Sequence, residues 1–157
     1  MKVTIAKALK TKNRLTSRIT QVKSQIRAHN AYIVDKTIPV DEIKIQIKVP
    51  ELLQELDSLT NKLIAVKSAI GKGNVGSVDK IFRLSEAKGL LAYWEIVDCT
   101  EGRAGGYGHD NDVKRVQVSL TEKNKIVSEL QKLTEKLQDE LDEYNATTRV
   151  EIPDDVL

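Results

Sequence analysis

Two leucine seams constrain this chain more than any other feature. Leu52, Leu56, Leu59, Leu63, Val66 and Ile70 follow one another at spacings of four and three, and Ile126, Leu130, Leu133, Leu137, Leu141 and Tyr144 repeat the rhythm. Residues so spaced share one narrow stripe of an α-helix, which must therefore pack along a neighbour over its whole length. Pro50 suits the first turn of the first seam helix, where a missing N–H costs nothing. Gly71 and Gly73 predict its end, as residues free to adopt a left-handed conformation. A further helix is expected from Ser77, an N-cap residue just beyond the turn Gly73–Gly76. It runs through Ile81, Leu84 and Leu91, with Phe82 and Trp94 as large anchors.

The first helix carries a different signature. Ile5, Leu9, Leu15, Ile19, Val22 and Ile26 form its apolar stripe, while Lys7, Lys10, Arg14 and Arg18 gather on the other side. The first 34 residues hold eight Lys or Arg and no acid; the first carboxylate is Asp35. From Glu122 to Asp155 the balance reverses, with ten acids against five bases. The cationic face therefore has three readings: a solvated surface, a dock for the acidic last helix, or a site for an anion. A net charge of +2 argues against duplex DNA, which selects more basic domains. A membrane-surface helix would place Trp or Phe at its apolar boundary, and none occurs there.

These patterns predict a mostly α protein: an antiparallel helical bundle with coiled-coil-like seams and a small β element at one end. A chain of 157 residues suits one domain, with helices over 4–30, 50–71, 77–98 and 121–145. Leu52, Leu56, Leu59, Leu63, Leu130, Leu133 and Leu137 are the expected core. Ile43, Ile45, Ile47 and Val49 alternate with polar residues, as do Val116, Val118 and Leu120. Period two predicts strands over 43–49 and 113–119, pairing with each other or with a second chain. The stretch from Thr148 to Ile152 is a candidate third strand. Strands without local partners, long seams and opposite charge at the two ends all predict self-association.

One cysteine, Cys99, rules out an internal disulfide framework and suggests a reducing compartment. With no apolar run of about 20 residues and no signal-like N-terminus, the chain reads as soluble and cytoplasmic, without a membrane partner. His29, His109 and Cys99 fit no metal-ligand spacing, and neither a metal nor a cofactor is expected. No paired catalytic carboxylates, Ser-His-Asp order or activated Cys-His pair stands out, which points away from an enzyme.

The remaining chemistry lies in a polar, glycine-rich loop from Glu101 to Asp112. It lacks a phosphate-loop motif and leads into a strand, so neither nucleotide-hydrolase nor dinucleotide geometry is available. It does bring Arg103, Tyr107 and His109 close in sequence to Lys114 and Arg115. An aromatic face for a base and cations for phosphate would suit an anionic, nucleotide-like ligand. In an oligomer, Lys7, Lys10, Arg14 or Arg18 of a neighbour would add charge. The alternative is an ordinary surface loop on a structural or adaptor protein that grips a partner.

The order of these parts resembles a septicolysin-like family of small helical bacterial and phage proteins of unknown function. The similarity runs through Ile5-Ala6-Lys7-Ala8-Leu9, Asn61-Lys62-Leu63-Ile64, Gly73-Asn74, the stretch from Tyr107 to Leu120, and Tyr144-Asn145-Ala146-Thr147-Thr148. It departs from the pattern at Ile43–Val49, in the glycines around Tyr107 and beyond Arg149. The resemblance implies a helical, oligomeric, non-enzymatic protein. Because similar chains occur in phages, it also admits a host-countering role, such as a sponge that sequesters a nucleotide immune signal.

Overall fold

A computed structural model describes residues 1–31, 33, 39, 47–103 and 113–156. Helix accounts for 78% of it, so the protein is mostly α with small antiparallel β elements. In chain order the elements are β1 (Lys2–Thr4), α1 (Ile5–His29), α2 (Val49–Gly73), α3 (Val78–Ile96), β2 (Gly102–Arg103), β3 (Val113–Lys114), α4 (Leu120–Thr147) and β4 (Arg149–Glu151). They fall into two compact units, one of Met1–Val75 with Asn145–Leu157, the other of Gly76–Tyr144.

In the first unit, α1 and α2 form an antiparallel pair closed at one end by a β1–β4 ribbon. Thr4 caps α1, its hydroxyl accepting the Lys7 amide at 3.3 Å. Such a cap satisfies one of the donors that a helix start leaves without a partner. The stripe Ile5, Ala8, Thr11, Leu15, Ile19 and Val22 is buried, against Val66, Ala69 and Ile70 of α2 as that helix's buried members. Thr11 tolerates burial because its hydroxyl donates to the Lys7 carbonyl at 3.1 Å. The ribbon pairs Lys2 with Glu151, Val3 with Val150 and Thr4 with Arg149. Val3 and Val150 face the helices and are buried, and Ile152 continues that face.

The second unit is an antiparallel hairpin of α3 and α4. Lys80 near the start of α3 meets Glu140 near the end of α4 at 2.7 Å. At the other end, the Lys123 ammonium donates to the carbonyls of Val97 (2.7 Å) and Glu95 (3.2 Å). A cation there neutralises the negative end of α3 and satisfies its free carbonyls. Leu84, Leu137 and Leu141 form its buried cluster.

Several boundaries differ from expectation, each for a local reason. Val49, expected at the end of a strand over 43–49, opens α2 instead, since Pro50 directly behind it is a helix-starting residue. Residues 43–46 of that strand lie outside the described residues. The strand expected over 113–119 is only Val113–Lys114, paired with Gly102–Arg103. Beyond it, Ser119 already caps α4: its hydroxyl accepts the Glu122 amide at 3.2 Å, while Glu122 accepts the Ser119 amide at 2.9 Å. This reciprocal Ser-Leu-Thr-Glu box sets the start of α4 at Leu120. The Ser119 amide first, and then the Ser119 hydroxyl, which donates to the same carboxylate at 2.8 Å, hold the Glu122 carboxyl below its ordinary value. The stretch around Thr148–Ile152 does supply a strand, and its partner is β1.

Gly71 and Gly73 do not stop α2 by a left-handed turn. The helix runs through Gly73, is followed by an α-conformation Asn74, and continues as a 3-10 turn over Asn74–Ser77. Burial is also narrower than the seams imply. Of the seven leucines expected in the core, Leu137 is buried and Leu133 is 44% exposed. The other five are half-buried.

Candidate functional site

The expected site residues are distributed over both units. Lys7, Lys10 and Arg14 stand exposed on one flank of α1. Arg18 continues that row but is tied to α2, its Nε and Nη2 donating to Glu55 Oε1 at 2.8 and 2.7 Å. In the second unit, β2 and β3 form a two-rung ribbon that aligns Arg103 with Val113 and Gly102 with Lys114. Gly102 holds φ +155°, a region that side chains rarely enter. Tyr107 and His109 lie outside the described residues.

Lys114 anchors the ribbon to the segment that follows α3. Its ammonium donates to the Asp98 carboxylate and, at 3.2 Å, to the Thr100 hydroxyl. Asp98 in turn accepts the Thr100 hydroxyl at 2.6 Å and the Thr100 amide at 3.0 Å. Lys114 first, then these two Thr100 donors, hold the Asp98 carboxyl well below the usual carboxylate range. Lys114 is thus a structural fastener, and Arg115 beside it is exposed. The lowered carboxyl favours folding above the ordinary carboxylate pKa, and that contribution fades as pH falls through the folded value. In a carbon-13 NMR titration Asp98 should stay ionised at acidities where free carboxylates protonate, and Lys114→Met should return it towards the ordinary value. An ordinary Asp98 titration in the unaltered protein would refute the fastening.

A second surface is apolar and was not singled out by residue patterning. Between α3 and α4 lies an open groove of about 690 Å³. Its floor is made by Ala87, Leu130 and Leu137, its walls by Phe82, Leu90 and Leu133. Phe82 is 66% exposed and Leu90 50%, so two large apolar side chains stand largely in water beside the leucine floor. Charged residues border it on both sides, Asp79, Arg83 and Glu86 on α3 and Lys136 and Glu140 on α4. Arg83 and Asp79 pair at 2.8 Å along the rim.

The groove exists because α3 has more apolar surface than one partner helix covers. Leu84 and Ala87 are its buried residues; Phe82 and Leu90 lie on the adjoining flank. Phe82, expected as a core anchor, is therefore mostly in solvent, while Trp94 is half-buried and meets Tyr93 edge-on at 5.7 Å. The signal was present in the sequence as a helix with apolar residues on too many sides. What it lacked was the direction from which α4 approaches.

Among the described residues, no three His, Cys, Asp or Glu side chains gather as metal ligands. No described helix is long and apolar enough to cross a membrane. No protein-family model, no curated protein and no solved structure matches this chain.

Proposed function

We propose that this is a non-enzymatic binding protein whose α3–α4 groove receives an amphipathic helix of a partner protein. The observation that carries the reading is the exposure of Phe82 and Leu90 above a leucine floor, inside a charged rim. A third helix laid there would cover the apolar strip that α4 leaves open, using anchors spaced at three and four residues. The interleaved charges of the rim would fix its direction and register more than its affinity.

A nucleotide-like ligand is the second reading. It is supported by Arg115, exposed beside the glycine-rich loop, and by the exposed row of Lys7, Lys10 and Arg14. Two of its other cations, Arg18 and Lys114, already serve protein carboxylates. In that reading the protein would hold the ligand intact, as a sponge does.

One pair of measurements separates the two. A photo-crosslinking residue in place of Leu90, introduced in the source cells, should trap one defined protein. The same residue in place of Lys7 should not trap it, and Leu133→Glu should abolish the adduct. A thermal-shift series with linear and cyclic nucleotides tests the other reading: a shift lost in an Arg103→Ala, Arg115→Ala variant, with intact ligand recovered, would support it. Nucleotide shifts together with no adduct at position 90 would overturn the groove assignment.

A further inference from the structure

The β1–β4 ribbon has one edge that is open and self-complementary. Its hydrogen-bonded pairs follow from three bonds: the Ile152 amide donates to the Met1 carbonyl (3.0 Å), the Met1 amino group to the Ile152 carbonyl (2.6 Å), and the Ile5 amide to the Thr148 carbonyl (2.9 Å). Antiparallel pairs alternate between bonded and non-bonded, so Val3 and Val150 form the bonded pair between those two. Arg149 and Glu151 then sit at non-bonded positions with respect to β1. Their backbone N–H and C=O groups point away from the ribbon, towards the free side of β4.

Among the described residues, no strand pairs with that side. Beside Arg149 and Glu151 lies an open cleft of about 590 Å³, whose opposite wall is a flank of α2 made of Ala65, Ser68 and Ala69 with Lys72 at its end. The free edge of β1 is poorer, because Thr4 is already the N-cap of α1 and the chain turns away there. On β4, Pro153 ends the run of available donors two residues beyond Glu151.

We propose that two copies of the chain join through β4, edge to edge, into a four-stranded antiparallel sheet with a two-fold axis at Val150. In this register Arg149 of one copy faces Glu151 of the other, and the reverse pair repeats it. Both residues have outward backbone groups, so each such pair exchanges two N–H···O bonds, four in all. The exposed face of the sheet then carries Lys2, Glu151, Arg149 and Thr4 in a row, with cations and anion alternating across the junction. Opposite charges directly across antiparallel strands attract, and like charges repel. The covered face gains an uninterrupted line of Val3 and Val150 from both copies. A three-residue strand is too small to reach the roughly 800 Å² per partner of a stable interface. The flank of α2 supplies the further contact: Ala65, Ser68 and Ala69 leave room for the second copy, and the exposed Lys72 beside them is a flexible side chain that can turn aside. The two-fold closes the assembly, leaving no β4 edge to recruit a third chain. This surface belongs to the unit that lacks the groove, so it stands or falls separately from the proposed function.

Sedimentation velocity on the full chain tests it. The unaltered protein should dimerise in the micromolar range. Arg149→Glu alone, and Glu151→Arg alone, should each raise the dissociation constant roughly tenfold or more, because two attractive pairs become repulsive. The double reversal restores opposite charges across the junction and should recover most of the loss. Glu151→Pro removes a donor that points to the partner and not to β1, so it should abolish the dimer while circular dichroism and the hydrogen-exchange protection of the Val150 amide are retained. A protein monomeric at every concentration would overturn the proposal. So would a dimer indifferent to all four variants, which would place the contact elsewhere.

Discussion

Replacing Leu137 by alanine should lower the stability of the Gly76–Tyr144 unit by about 2–5 kcal/mol, the range for emptying an enclosed leucine site. Leu137 is 7% exposed and is locked between Leu84 and Leu141, 8% and 6% exposed. A two-helix hairpin has few buried residues among which to share the loss, and the open groove beside Leu137 limits how far its neighbours can close the cavity. Trp94 is the one tryptophan of the chain and lies on α3, so its fluorescence reports this unit. The denaturation midpoint followed by Trp94 should fall steeply for Leu137→Ala. Leu133→Ala, at a 44% exposed position, should shift it much less. Equal shifts for the two leucines would show that the hairpin is packed otherwise.

Two glycines only two residues apart should respond in opposite directions. A methyl group on Gly73 would run into Val150 Cγ1 and stand 3.1 Å from Ile5 Cδ1. Both neighbours are buried, Ile5 completely, and neither is the loose end of a flexible chain. Gly73→Ala should therefore cost about 1–3 kcal/mol of overpacking, less the fraction of a kcal/mol that alanine returns as a better helix former. At Gly71 the same methyl meets nothing within 4 Å. Gly71→Ala should stabilise by up to about 1 kcal/mol, through helix propensity alone. Urea unfolding followed by far-ultraviolet circular dichroism measures both. A stabilised Gly73→Ala would mean that the ribbon does not press on the end of α2.

These glycines show where sequence reading reaches its limit. Both were legible as a change of structure after the seam, because glycine at the end of a helical pattern normally terminates it. Gly73 serves close packing instead: it lets Val150 and Ile5, from opposite ends of the chain, approach the helix. A contact between residues 73 and 150 leaves no trace in local spacing. The capping box at Ser119 and Glu122 was, by contrast, fully local and could have corrected the start of α4 from sequence alone.

The candidate surfaces divide in the same way. The cationic row of α1 was readable from helical periodicity, yet the partner of Arg18 was not, since Glu55 lies 37 residues away. Lys114 looked free beside a polar loop, whereas Asp98 and Thr100 fasten it. The groove needed the approach direction of α4, and the open edge of β4 needed the hydrogen-bond parity of its pairing with β1.

The sequence by itself determined the class of this protein. Apolar residues at spacings of three and four, few aromatics and one cysteine allow little besides packed helices, because only a helix brings such residues onto one stripe. Tertiary structure alone decided which of those stripes found a partner. Burial depends on which surface another helix reaches first, and the order of spacings along one chain does not encode that. Leu137 was enclosed while Phe82 and Leu90 stayed in water, and β4 kept an edge that no other described strand pairs.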